Sequence, residues 1–270
     1  MSKKQYKPRL SASINRKGVL DIDTVKGCSE GMKANPDGGC YGLCYAYKAA
    51  ECRGFDFTIS VSRQPKDEDN AVIENLVKNN SAGWFRIGTM GDPSHDWPLT
   101  FYICEWLGKM KTPIIVTKHW REIPQYMLER LVSLGVVFNT SISALDSDEE
   151  REFRIGQYFR LSKYGAKSVL RIVSCEFGDT DEGRYLGNIQ NWLFMYRPFI
   201  DNPLRIPTTD KRVTEGTIKV RRMTDLGGGS TVSVWDESCY IGPCEQCPDQ
   251  CGVNFYSKKG RFENANRSFN

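Results

Sequence analysis

No stretch of this 270-residue chain approaches the ~20 consecutive apolar residues of a membrane helix, so a helical span is excluded. Neither sign of charge dominates. Thirty-seven basic residues against 33 acidic ones leave +4, which neither demands nor excludes a nucleic-acid partner. The opening Met-Ser-Lys-Lys-Gln-Tyr-Lys-Pro has no apolar stretch behind its charges, so no secretory signal and a cytoplasmic setting are expected. Internal repeats and low-complexity segments are lacking. The run Gly227-Gly228-Gly229 lacks the Gly-Lys-Ser/Thr that cradles a nucleotide phosphate, and reads as a turn. What is present is the balance of a globular protein, 40% apolar and 26% charged, which excludes a disordered tail or a collagen-like fibre. The length suits one large domain or two small ones, enough to bury a sizeable core.

Ten cysteines are the unusual feature, and eight of them fall into two clusters, one near each end. In a reducing compartment clustered thiols point to metal rather than to disulfides. Cys104, on the apolar face of an expected helix, and Cys175, at a strand end, read as core residues.

The apolar pattern alternates between strand and helix periods. Strands are expected at 10–14, 19–22, 57–62, 84–90, 113–117, 136–142 and 168–174. Helices are expected at 67–79, 99–110, 123–134, 147–164 and 189–196. Asp/Ser caps, Pro98, Gly135 and Gly165 mark their ends. Short continuous apolar strands between helices predict an α/β fold with a parallel sheet. We expect a partial parallel (β/α) barrel of about six strands over residues 1–200, with a small Cys-rich C-terminal metal-binding lobe over 201–270. The first seventeen residues carry Lys3, Lys4, Lys7, Arg9, Arg16 and Lys17 and no acid. Such a block is either a solvated arm or a phosphate-attracting patch.

The first cluster is Cys28-(x)11-Cys40-(x)3-Cys44, with Gly38, Gly39 and Gly42 in its loop and Cys52 as a rival third ligand. Three thiolates leave one iron of a [4Fe–4S] cluster open to a small molecule, as reductive cleavage of S-adenosylmethionine requires. Four thiolates from Cys28, Cys40, Cys44 and Cys52 would instead saturate a structural zinc. The second cluster, Cys239-(x)4-Cys244-(x)2-Cys247-(x)3-Cys251, suits a zinc knuckle or an auxiliary [4Fe–4S] cluster. One of its cysteines could also complete the first site.

Three short motifs carry a family resemblance. These are Gly39-Cys40-(x)3-Cys44-Tyr45-Ala46, the strand-end Arg86-Ile87-Gly88-Thr89-Met90-Gly91-Asp92, and Val116-Thr117-Lys118. Together with the β/α order, over roughly residues 20–180, they resemble the radical S-adenosylmethionine superfamily. The likeness is to the small phage-type radical-SAM-like proteins whose cysteine loop ends in Cys-Tyr-Ala. The superfamily's usual Cys-(x)3-Cys-(x)2-Cys spacing is absent. The resemblance implies that Gly91 and Asp92 hold the methionyl amino group, and that Asn139, Ser141 and Arg171 contact its ribose and carboxylate. It implies a [4Fe–4S] cluster, S-adenosylmethionine and an external electron donor. A hydrogen-bonded interior is the other reading of Asn139, Ser141 and Ser143.

His95, Asp96, Lys118, His119 and Trp120 follow strand ends, where β/α proteins place their sites. The basic arm, the Lys258-Lys259-Gly-Arg261 tail and the aromatics point to a nucleic-acid substrate. Two rivals remain. One is a zinc-bearing nucleic-acid-binding or base-modifying protein without radical chemistry. The other is a transglycosylase or hydrolase using Asp92 as base or nucleophile.

Overall fold

The computed structural model of the protein describes residues 8–15, 17–33, 40, 44, 46–47, 50, 54–220 and 240–256. The chain divides into two compact units, Met1–Phe138 with Leu161–Lys167, and Asn139–Arg160 with Ser168–Asn270.

In the first unit, β1 (Ser11–Ile14) and β2 (Leu20–Asp23) form an antiparallel hairpin with Ser11 opposite Asp23. The turn closes because Asn15 Oδ1 accepts from Lys17 N at 2.8 Å and Val19 N at 3.3 Å. β3 (Val25–Lys26) leads into α1 (Ser29–Lys33), and β4 (Val61–Ser62) returns antiparallel to β3. α2 (Asp67–Asn79) opens on Asp67, Glu68 and Asp69 and closes near Lys78, which matches its dipole, and it buries Ile73 and Val77. β5 (Trp84–Ile87) runs parallel to β2. Across that pair Arg86 clasps Asp21 through two bonds of 2.8 and 3.0 Å. α3 (Trp97–Leu107) is capped by the Asp96 side chain, which accepts from Leu99 N at 2.9 Å. β6 (Thr112–Thr117), parallel to β5, and α4 (Gln125–Ser133) follow. The core joins Leu20, Ile22, Phe85, Ile87, Ile103, Leu107, Ile115, Leu131 and Phe138, with Cys104 fully buried among them.

β7 (Val137–Ile142) opens in the first unit and ends in the second. α5 (Asp148–Lys163) lies in the second unit up to Arg160 and β8 (Lys167–Ser174) from Ser168, and β9 (Glu176–Phe177) and α6 (Asp181–Leu193) follow in that unit. The unit ends its regular structure with β10 (Phe199–Pro203), α7 (Lys211–Thr214) and β11 (Ile218–Lys219). β10 is parallel to β8, and β11 is antiparallel to β9. Its core gathers Ile142, Ile155, Tyr158, Leu170, Ile172, Leu193 and Phe194. Cys175 is buried, and the Gln190 amide bonds its backbone N–H and C=O at 2.9 Å each.

The main sheet has seven strands in the order β1-β2-β5-β6-β7-β8-β10 and does not close into a barrel. β2 and β7 are buried along their whole length, as a strand covered on both faces must be. Three expectations need correction. Of the strand expected at 57–62 only Val61–Ser62 pairs. β5 stops at Ile87 because Gly88 turns the chain at φ +101°. The helix expected at 189–196 already begins at Asp181, where the Thr180 side chain caps Gly183 N at 3.0 Å.

Candidate functional site

Backbone contact between two loops places Cys28. Gly27 N donates to Met90 O at 3.3 Å and Cys28 N to Phe57 O at 2.8 Å. A Cβ on Gly27 would lie 2.1 Å from Ile59 O, and one on Gly91 2.4 Å from Val25 O. Only glycine allows so close an approach, so Gly91 serves packing of the loop after β5 against the loop after β3. Thr89 N and Met90 N both donate to Asp23 Oδ1, at 2.7 and 2.8 Å, and fix the same loop from β2.

Cys28, Cys40 and His119 meet at α1. A Cβ on Gly31 would stand 3.1 Å from Cys28 Sγ, 3.4 Å from Cys40 Sγ and 3.5 Å from His119 Nε2. Gly31 N donates to Cys28 Sγ at 3.3 Å, and Cys40 Sγ lies 3.5 Å from His119 Nε2. Cys40 takes φ +34°, a left-handed conformation that a non-glycine residue adopts at some cost. Cys28 and Cys44 share an apolar wall of Ala46, Ala50 and Phe57, joined by Tyr47, Phe55 and Met90. Burial above all, then the Asp92 charge and more weakly those of Cys40 and Cys44, push the Cys28 thiol up to about 12 against the Gly31 N–H.

Asp92 is the latch behind this group. Its Oδ1 accepts from Thr117 Oγ1 at 2.6 Å and Ser94 N at 3.0 Å. Its Oδ2 accepts from Lys118 N and His119 N, both at 2.8 Å. Ser94 Oγ returns a bond to His119 O at 2.7 Å. Burial pushes the Asp92 carboxyl up, but the His119 charge, the Thr117 hydroxyl and the two N–H groups together hold it below its ordinary value. Asp92→Ala is therefore expected to lower stability by about 3 kcal/mol, because four donors lose a charged acceptor. The folded carboxyl titrates below the ordinary 3.8, so its contribution is full above that pH and lost as pH falls through the folded value. Urea unfolding at pH 7 and at pH 3 measures both the size and the sign; a wild-type-like midpoint at pH 7 would refute the latch.

The other residues expected around the strand ends divide. Trp120 stacks on Trp97 and Phe138 in the core, at 5.7 and 6.2 Å between rings. Asp96 caps α3. His95 keeps Nδ1 buried without a hydrogen-bond partner among the described residues. Burial and then the Arg121 charge lower its basicity, against the pull of Glu30, Asp96 and Asp92. Glu30 on α1 pairs with Arg121 at 2.9 Å, which ties that helix to the segment after His119.

The second unit carries the other cysteines. Cys244–Gln246 and Gln250–Gly252 are short 3-10 turns, and Cys247 N donates to Cys244 O at 3.2 Å. Cys251 takes φ +52°. Burial raises the Cys247 thiol, the N–H groups of Asp249 and Gln250 draw it down, and the charges of Asp249 and Cys251 raise it again. The segment is anchored on strands of the same unit. Asn139 Nδ2 donates to Cys251 O at 3.0 Å, and Tyr256 OH donates to Ser168 O at 2.6 Å. A Cβ on Gly252 would come 2.7 Å from Val169 Cγ2. Arg171 Nη2 donates to Asn202 Oδ1 at 2.6 Å, and its Nη1 stands 4.0 Å from Cys251 Sγ. Ser141 is buried, and Ser143 Oγ donates to Val173 O at 3.0 Å. Cys52, Cys239 and the basic residues of both termini, Lys3, Lys4, Lys7, Lys258, Lys259 and Arg261, lie outside the described residues.

Among the described residues no three His, Cys, Asp or Glu side chains close on one metal-ion point. A cubane asks for a different arrangement, one thiolate for each iron, on a loop shielded from water. Cys28, Cys40 and Cys44 fit that donor set. Cys28 feels the charges of both Cys40 and Cys44, Cys28 and Cys44 share one apolar wall, and the bare Cα of Gly31 leaves room between the Cys28 and Cys40 sulfurs. Fold and site together define an α/β protein with a cysteine-lined loop at the strand ends of its first unit. Neither a family model, nor a curated protein, nor a solved structure matches the chain. His119 was among the strand-end candidates, whereas Gly31 was not singled out, and the sequence did not show that the two meet. They lie 88 positions apart, and no spacing signal links them.

Proposed function

We propose that the protein is a radical S-adenosylmethionine enzyme whose [4Fe–4S] cluster is held by Cys28, Cys40 and Cys44. The observation that supports this most is the convergence of Cys28 Sγ and Cys40 Sγ over Gly31, with Cys44 on the apolar wall that Cys28 shares. Cys28, Cys40 and Cys44 would hold the cluster, which would supply the electron for reductive cleavage of S-adenosylmethionine. The chain's own residues supply position and exclusion of water. Ala46, Ala50, Phe57 and Met90 give Cys28 and Cys44 an apolar side, and Asp92 holds the Thr117–His119 segment in place. The Gly91-Asp92 turn carries a negative charge felt at Cys28, which favours an ammonium group of the co-substrate. Asn139, Ser141 and Arg171 belong to the second unit, where Asn139 donates to Cys251 O and Arg171 to Asn202 Oδ1. The open sheet is read as a partial (β/α) barrel, an external donor delivers the electron, and the setting is cytoplasmic.

The test is anaerobic reconstitution with iron and sulfide, followed by dithionite and S-adenosylmethionine. Slow release of 5′-deoxyadenosine without substrate is expected. A fully loaded protein that releases none refutes the reading.

The C-terminal cysteines support a second reading, a zinc-bearing nucleic-acid-binding or base-modifying protein without radical chemistry. Two backbone N–H groups directed at Cys247 are the environment a metal-bound thiolate needs, whether for zinc or for an auxiliary [4Fe–4S] cluster. Zinc alone after anaerobic purification would favour it. In either reading the substrate class we propose is nucleic acid, from the basic ends. Binding should then weaken as salt rises, and deleting residues 1–9, with Lys3, Lys4, Lys7 and Arg9, should make the salt slope shallower. No binding of DNA or RNA at low salt removes this substrate class.

A further inference from the structure

We infer that His119 donates a hydrogen bond from Nε2 to the Cys40 sulfur and thereby raises the reduction potential of the cluster that Cys40 holds. The inference rests on the three-cysteine reading above and assigns a role to a residue that reading leaves idle.

The argument starts from where the ring is fixed. His119 N is held by Asp92 Oδ2 at 2.8 Å and His119 O by Ser94 Oγ at 2.7 Å. Its main chain is thus bonded on both sides by residues just beyond β5, before the side chain makes any contact. From that anchor Nε2 reaches to 3.5 Å from Cys40 Sγ, a distance suited to N–H···S because sulfur is large. The opposite approach is also built. Cys40 sits in the left-handed region at φ +34°, and Gly31 contributes no side chain between the two groups. Two elements distant in sequence have therefore been brought to one contact.

Chemistry fixes the direction of the bond. A metal-bound cysteine has lost its proton and can only accept. The ring nitrogen facing it must then carry the hydrogen, in the charged ring as in the neutral one. A bond donated to a cluster sulfur withdraws electron density and favours the state with one more electron. Hydrogen bonds to sulfur are among the levers that set such potentials. The geometry also limits the role. Two ligands to different irons of a cubane stand well apart, so an imidazole in contact with the Cys40 sulfur acts on that sulfur and is a positioning and tuning residue.

The experiment compares reconstituted wild type with His119→Phe, which keeps the ring volume and removes the donor, and with His119→Gln, which keeps an N–H donor. Iron and sulfide content and the cluster's midpoint potential are measured for each by redox titration followed in the EPR spectrum. All three should load equally. The potential should move negative in His119→Phe and return toward wild type in His119→Gln. Should His119→Phe fail to load, His119→Asn, too short to reach the sulfur, takes its place with the same expected shift. Equal potentials across fully loaded proteins overturn the inference and leave the cluster reading standing. A wild type that takes up no iron and sulfide overturns the cluster reading itself, and the inference with it.

Discussion

Replacing Cys40 or Cys44 by alanine is expected to abolish iron and sulfide retention and to reduce 5′-deoxyadenosine release to background. The reason is stoichiometric. A cubane with one open iron has three protein ligands, and loss of one leaves two, too few to hold it on a loop. Cys28→Ala should behave in the same way, because its sulfur flanks the same point as that of Cys40. Cys104→Ala is the control. That thiol is buried in the core of the first unit, and burial pushes it far up, so its loss should cost some stability and leave iron content unchanged. Cys52 decides the ligand set. If Cys52→Ala holds iron and releases 5′-deoxyadenosine like wild type, the third ligand is Cys28. If it loses both while Cys28→Ala keeps them, the ligand set is Cys40, Cys44 and Cys52. Retention of a full cluster in Cys40→Ala would falsify the assignment of the loop.

Much of the fold was legible because burial writes a period into the sequence. α2 lies where the spacing of Val72, Ile73, Leu76 and Val77 places it, and β6 and β7 are apolar runs between helices. α6 was read eight residues short because its first turns carry Asp181, Glu182, Gly183, Arg184 and Gly187, which lack an apolar stripe. What makes it a helix is the Thr180 cap and the burial of Gly183, Gln190 and Leu193. β10 was invisible for a related reason. Its Asp201 and Asn202 look like loop residues, yet they accept bonds from Ser174 and Arg171 on the neighbouring β8.

The candidate site was legible in its cysteines and illegible in its supports. Thiols announce themselves by type and clustering, so Cys28, Cys40, Cys44, Cys244, Cys247 and Cys251 could be named in advance. Asp92 could be singled out as a strand-end acid, but its four internal donors come from Ser94 and from a loop twenty-five residues on. No pattern in one sequence reports that pairing. Gly31 and Gly91 matter through side chains they lack, and the atoms a Cβ would meet belong to distant segments.

The same logic of anchors against metal gives the largest stability effect expected in the second unit. Cys247→Ala should release the metal bound by the C-terminal cysteines and open residues 240–256 to protease. The contacts that anchor the segment include Asn139 Nδ2 to Cys251 O, Tyr256 OH to Ser168 O, and the fit of Gly252 over Val169. Hydrogen bonds of this kind contribute about 1 kcal/mol each, whereas a structural zinc in a four-ligand site contributes on the order of 10 kcal/mol. If these cysteines hold a metal as proposed, its contribution exceeds that of the anchors. Gly252→Val separates the two contributions. It drives side-chain atoms into Val169, yet leaves every thiol in place, so it should loosen the docking of the segment while metal content stays at the wild-type level. Metal analysis with limited proteolysis reads both variants. Unchanged metal content together with unchanged protease resistance in Cys247→Ala would show that the segment is held by its contacts alone and that these cysteines are not ligands.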